Sequence, residues 1–177
     1  VRDVIKYNPA NIYSLYRQRM VLEITLDDIV AHGFGHELAH RISTRNPDVR
    51  AYYLTYAYGE APCVDICGDY FAIKFNPLKV PLVDENYKKT IKSRCEKAPS
   101  EMISLMFRSP EYMVVLLSTI PSYLTEDEIR NIFHAYPSIC NFLISIRKLF
   151  VNMRSDPAAI ISCIRRCNEL LRGVVYG

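Results

Sequence analysis

Residues 31–42 read AHGFGHELAHRI, and the spacing inside this stretch decides how the chain is read. It contains His36-Glu37-Leu38-Ala39-His40, with His32 one turn upstream. Apolar residues at Leu26, Ile29, Val30, Phe34 and Leu38 recur at helical spacing, so the stretch is predicted to lie on an amphipathic helix. Thr25 is placed to cap that helix, with Asp28 three residues on. Asp27 and Asp28 both suit the positive end of the helix dipole. Pro47 disfavours helical geometry in the residue before it, which sets the end of the helix near Asn46.

Residues four apart share one face of a helix, so His36 and His40 can offer imidazole nitrogens to a single cation. Glu37 lies beside that face, where its carboxylate reaches a water on the metal rather than the metal. Zinc acidifies such a water, and Glu37 takes the proton as general base. A catalytic zinc uses three protein ligands and keeps one position open. Ser43 and Asn46 stand where a metzincin continues with glycine and histidine, so the third ligand is expected from a second helix. His32 extends the ladder to i,i+4,i+8. A rise of about 12 Å over eight residues prevents all three rings from meeting one ion on a straight helix. His32 therefore reads as a supporting or rim residue, or as a plain surface histidine.

The second helix is predicted over PCVDICGDYFAIKF, residues 62–75, with Pro62 in its first turn and an end before Asn76-Pro77. It carries Asp65-Ile66-Cys67-Gly68-Asp69-Tyr70-Phe71-Ala72, followed by Pro77. Together with His36-Glu37-x-x-His40, this pattern resembles the gluzincin-type zincins, in particular the ImmA/IrrE-like metallopeptidases. Their second helix has the form Glu-x-x-Ala-Asn/Asp-x-Phe-Ala. The resemblance spans about residues 20–77. It implies zinc as cofactor, Asp65 as the third ligand and Gly68 as the small residue that lets two helices approach. It also implies Asp69 as the carboxylate that supports a ligand histidine, and a regulatory protease acting on a protein. The departure from the family is Asp65 itself, one methylene shorter than glutamate. Glu60 in YGEAP is the competing ligand. Tyr52, Tyr53, Tyr56, Tyr58 and Tyr70 are all near enough in sequence to stabilise an oxyanion, and the sequence selects none of them.

Around this core the chain reads as follows. NPANIYSLYRQ (8–18) is a short helix and RMVLEI (19–24) a strand candidate. Residues 48–61, tyrosine-rich in AYYLTYAYGEA, are a strand or loop, and the lysine-rich 78–98 a linker or partly ordered connection. From Ser100 onward the pattern is helical, with a possible break at Pro110. A Thr125–Glu128 capping box opens one helix, Pro137 begins another, and Asp156 and Gly173 bound the last. His134 falls on an amphipathic helix as a structural residue. The expected fold is thus α+β, mainly α. A zincin-like core at residues 1–77 with a short sheet is followed by a 78–98 linker and a 99–177 helical extension packed on the core.

Composition bounds the function classes. Half of the 177 residues are hydrophobic and 23% are charged, enough for a packed core. A net charge of +3 from scattered basic residues argues against a nucleic-acid binder. No apolar run reaches the roughly 20 residues of a membrane span, and no signal-peptide pattern is visible, so a cytoplasmic protein without membrane insertion is expected. The six cysteines form no Cys-x-x-Cys pair. Cys63/Cys67 and Cys163/Cys167 are each four apart, on one helical face, and read as buried thiols, with disulfides confined to an oxidising or hyperthermophilic source. The expected activity is zinc-dependent hydrolysis of peptide bonds in a protein or peptide substrate. The alternatives are a catalytically silent zincin and a metal-free helical protein, either serving as an interaction module.

Overall fold

The computed structural model describes Glu37, His40, Arg41 and residues 44–75 and 85–175. Glu37, His40 and Arg41 are helical, and a turn at Thr44–Asn46 leads into α1 (Pro47–Phe75). There follow α2 (Glu85–Lys97), α3 (Pro99–Met106), α4 (Pro110–Tyr123), α5 (Glu126–Ile132), α6 (Pro137–Val151) and α7 (Pro157–Val175). Five of these seven helices open on a proline, whose fixed φ and missing N–H cost nothing in a first turn. The prolines therefore act as start signals, and Pro110 separates α3 from α4 as a first-turn residue.

The expected α+β class is overturned: 84% of the described structure is helical, with no strand and no sheet among the described residues. The candidate strand 19–24, the short helix 8–18 and the Thr25 cap lie outside the described residues. Residues 48–61, read as strand or loop, are helix. The reason is burial. Val49 and Tyr52, then Cys63, Ile66, Cys67 and Tyr70, recur three or four apart as buried residues, and tertiary packing outweighs the weak strand preference of tyrosine. Pro62 is consequently inside α1 rather than at its start. It removes one i→i−4 hydrogen bond, toward the carbonyl of residue 58, and the helix continues past it. Within the supposed linker, α2 forms because Ile91 and Cys95, one turn apart, are both fully buried. Gly173 lies inside α7 and does not end it.

One hydrophobic core unites these helices. Helix α1 packs most extensively against α7 and α4, while α6 bridges α4 and α7 and α2 and α3 cover α4. From Val115 to Pro121 every residue of α4 is buried, including Ser118 and Thr119. The Thr119 hydroxyl donates to the Val115 carbonyl at 2.6 Å, and the single Ser118 proton is shared between that carbonyl at 3.1 Å and the Asp69 carboxylate at 3.0 Å, which satisfies both hydroxyls inside the core. Helix ends are closed by side chains from other elements. Lys74 donates to the carbonyls of Phe150, Val151 and Met153 at 3.2, 2.8 and 2.6 Å, capping the negative end of α6. Arg147 donates to the Pro121 carbonyl at 2.8 Å near the end of α4. Among the described residues, no helix is long and apolar enough to cross a membrane.

Candidate metal centre

The helical turn carrying His40 lies across the middle of α1. Its C-terminus is fixed by Thr44, whose backbone N–H and hydroxyl both donate to the His40 carbonyl, at 2.9 and 2.7 Å. The imidazole is part-buried and its Nε2 stands 3.2 Å from Asp65 Oδ1. Two groups each bound about 2.0–2.2 Å from one tetrahedral zinc would be separated by about 3.4 Å. The chemistry and spacing of this nitrogen–oxygen pair therefore fit two ligands of one ion.

Gly68, one turn beyond Asp65, explains how the ring comes so close. A Cβ there would lie 2.8 Å from His40 Cε1, 3.2 Å from Nε2 and 3.3 Å from Nδ1. The His40 ring thus rests against the backbone of α1, and any side chain at position 68 would displace it. On the other side of Pro62, the Tyr53 hydroxyl lies 3.3 Å from His40 Nδ1, and its ring meets the imidazole edge-on at 5.7 Å and 79°. With a proton on Nε2 shared toward Asp65, Nδ1 accepts from Tyr53. With Nε2 given to a metal, Nδ1–H donates to the same hydroxyl oxygen.

Asp69 is 1% exposed, and the Ser118 hydroxyl donates to its Oδ2 at 3.0 Å. A buried carboxylate held by a hydroxyl from α4 is placed to act through other residues rather than on solvent. Glu37 is exposed and, like His40 three residues on, helical. Beside the His40 turn, an open groove of about 570 Å³ is lined by Arg41, Thr44, Arg45, Pro47, Arg50 and Leu54, among others. Three arginines over an apolar floor give it a positive potential.

His36 and His32 lie outside the described residues, as does the side chain of Glu60. Among the described residues, no three His, Cys, Asp or Glu side chains are disposed around one point so as to hold a metal ion. The structure thus brings together His40, Asp65 and Gly68 from the expected set, and buries Asp69 one turn away. His134, expected on an amphipathic helix, lies exposed in the turn after α5, and its Nδ1 is 2.9 Å from the Asn131 carbonyl.

Two neighbours were not singled out by the sequence. Tyr53 was one of five equivalent tyrosines. Ser118, 49 residues from Asp69, carries no local signal at all. The structure separates Tyr53 from two of the others. Tyr70 stacks on Phe150 at 4.0 Å, away from His40, and burial pushes its phenol up to about 12. Tyr52 lies beneath the Arg165 guanidinium of α7 at 5.2 Å. Comparison with family models, with curated proteins and with solved structures finds no match to this chain.

Proposed function

We propose that the chain is a zinc-dependent peptidase of the zincin type, similar to the ImmA/IrrE-like enzymes, in which His36, His40 and Asp65 hold the metal and Glu37 is the general base. The observation that carries this reading is the His40–Asp65 contact at 3.2 Å across a glycine that leaves room for the ring. A motif that arose by chance on a surface helix would have no reason to meet an acidic residue of another helix 25 positions later.

A bound zinc supplies Lewis acidity toward water and toward a peptide carbonyl. The chain's own residues do the rest. Glu37 accepts the proton of the attacking water and returns it to the leaving amine. Tyr53 fixes the rotation and tautomer of His40, and Gly68 sets how closely the ring approaches α1. Asp69, braced by Ser118, supports the ligand set from the buried side. The arginine-lined groove beside His40 binds the substrate chain and favours acidic segments.

A metal-free structural role is the second reading, and one observation favours it. The His40–Asp65 pair is already at hydrogen-bonding distance and needs no ion to satisfy it. Elemental analysis of protein purified without added zinc separates the two. The peptidase reading expects one zinc per chain, lost in Asp65→Ala and retained in Glu37→Gln. It further expects Glu37→Gln to lower peptide hydrolysis by about 10²–10⁴-fold. Absence of zinc even after reconstitution, with the metal-free protein destabilised in a His36→Ala/His40→Ala double variant, would leave the structural role standing.

A further inference from the structure

Four of the six cysteines converge on the interface between α1 and α7. Cys63 and Cys67 lie one turn apart on α1, Cys163 and Cys167 one turn apart on α7, and all four are at most 2% exposed. They are free thiols. Cys67 Sγ is 3.7 Å from Cys163 Sγ and also contacts the Cys167 thiol, which in turn contacts Cys63. The sulfurs form a chain in the order 163, 67, 167, 63. They do not encircle a common centre, in keeping with the absence of a ready three-ligand group among the described residues.

Two further facts bear on what this chain of thiols can do. First, it has an approach. A groove of about 650 Å³ between α6 and α7 is lined by Lys148, Met153, Arg154, Ser162, Cys163 and Arg166, among others, so that Cys163, though 2% exposed, is the member of the cluster that lines it. The groove's cations also attract an anionic reagent. Second, the cluster is polarised. Hydrogen bonds from Cys63 and Cys67 hold the Cys167 thiol well below its usual range, whereas Cys67 itself is pushed well above it by its thiol neighbours and by burial. Cys167 is thereby the proton acceptor nearest to Cys67.

We propose that Cys67 and Cys163 are a redox modification site, joined as a disulfide between α1 and α7 by exchange with an anionic low-molecular-weight disulfide that enters the α6–α7 groove. Closing the bond shortens the sulfur separation from 3.7 Å to about 2.05 Å. In the first step Cys163 attacks the reagent's sulfur–sulfur bond and forms a mixed disulfide. The displaced thiolate takes up the proton lost from Cys163. In the second step Cys67 attacks the Cys163 sulfur, its proton passing by way of Cys167 to the second departing thiol. The balance is one disulfide and two cysteine thiols in, one cystine and two small thiols out. The two joined positions are 96 residues apart in sequence, so the bond closes a long loop and constrains the unfolded chain strongly.

The test uses the full chain, reduced, desalted and exposed to oxidised glutathione. The expected result is a mass loss of two hydrogens per chain, a peptide linking Cys67 to Cys163, and a Tm raised by roughly 5–10 °C and restored by dithiothreitol. Cys67→Ala is expected to stop at a glutathione adduct on Cys163, and Cys163→Ala to take up no glutathione within the cluster. A wild-type chain that keeps six thiols overturns the proposal, as does one that ends at a stable adduct or links another pair. Zinc or copper bound to the cluster and lost in Cys67→Ala would also overturn it. Because the wild type alone yields these outcomes, a variant that fails to fold does not shield the idea.

Discussion

His40 owes its position to an absence. The missing side chain at Gly68 lets an imidazole lie against the α1 backbone, and a single methyl there would stand 2.8 Å from the ring. Gly68→Ala gains helix propensity but must push His40 aside; we expect a net loss of about 1–3 kcal/mol in thermal or urea unfolding, together with weaker zinc binding. Tyr53→Phe removes the partner of Nδ1 without touching the proposed ligands. Its expected effect is a zinc affinity lowered about 10–100-fold, with the Tm of the metal-free protein changed little, read by competition with a chromogenic chelator. The sequence made His40, Asp65 and Gly68 visible because all three belong to local patterns of three or four residues. Tyr53 and Ser118 were not visible, since their roles exist only once separate helices have been packed together.

Among the helices, those that were legible carry their boundary signals within one turn. The Thr125–Glu128 capping box is present in full, with the Thr125 hydroxyl accepting from the Glu128 N–H and the Glu128 carboxylate accepting from the Thr125 N–H at 2.8 Å. Asp156 accepts from the Ala159 N–H at 3.0 Å to begin α7. Helices α1 and α2 were misread because their decisive residues are buried ones. Tyrosines suit a strand as well as a helix until Tyr52 meets the core, and among the described side chains of α2 the buried apolar ones are Ile91 and Cys95, amid lysines. Glu128 also yields a pH dependence. The Lys92 ammonium, followed by the Thr125 N–H, lowers its carboxyl from 4.5 to about 2. A carboxyl depressed on folding adds stability above its unfolded value and loses it as pH falls through the folded value. The contribution should therefore fade between about pH 4.5 and pH 2. Tm measured across that window should fall more steeply for the wild type than for Glu128→Gln, by a small margin because the pair is open to solvent.

Taken as a whole, the chain is organised around α1, which meets α7 from the far end of the sequence and α4 from its middle. Such long-range pairings leave no trace in periodicity, so the reading of 99–177 as an extension packed on the core could not say which helices meet α1 in the one core they share. A ligand that binds the folded chain alone must therefore stabilise all of it together. Zinc at a hundredfold excess over its Kd adds about 2.7 kcal/mol. For a chain of this size that corresponds to a Tm rise of roughly 5–10 °C. The rise should survive in Glu37→Gln and be abolished or much reduced in Asp65→Ala, as differential scanning calorimetry would show.

The faces of α1 carry a last consequence. Successive residues turn about 100° around a helix, so Cys63, Cys67, Tyr70 and Lys74 share one side, whereas Asp65 and Gly68 look roughly the opposite way and Asp69 stands between. Each side is engaged by a different neighbour: thiols of α7, the Phe150 ring and carbonyls of α6, the His40 imidazole, the Ser118 hydroxyl. Adding or deleting one residue between positions 53 and 63 would turn Tyr52 and Tyr53 by about 100° relative to this whole set, separating Tyr53 from His40 and Tyr52 from Arg165. Length variation should thus be forbidden in this helix, however tolerant its individual positions prove to be. Related chains, wherever they occur, should conserve the spacing between Tyr53 and Lys74 more strictly than the residues that fill it.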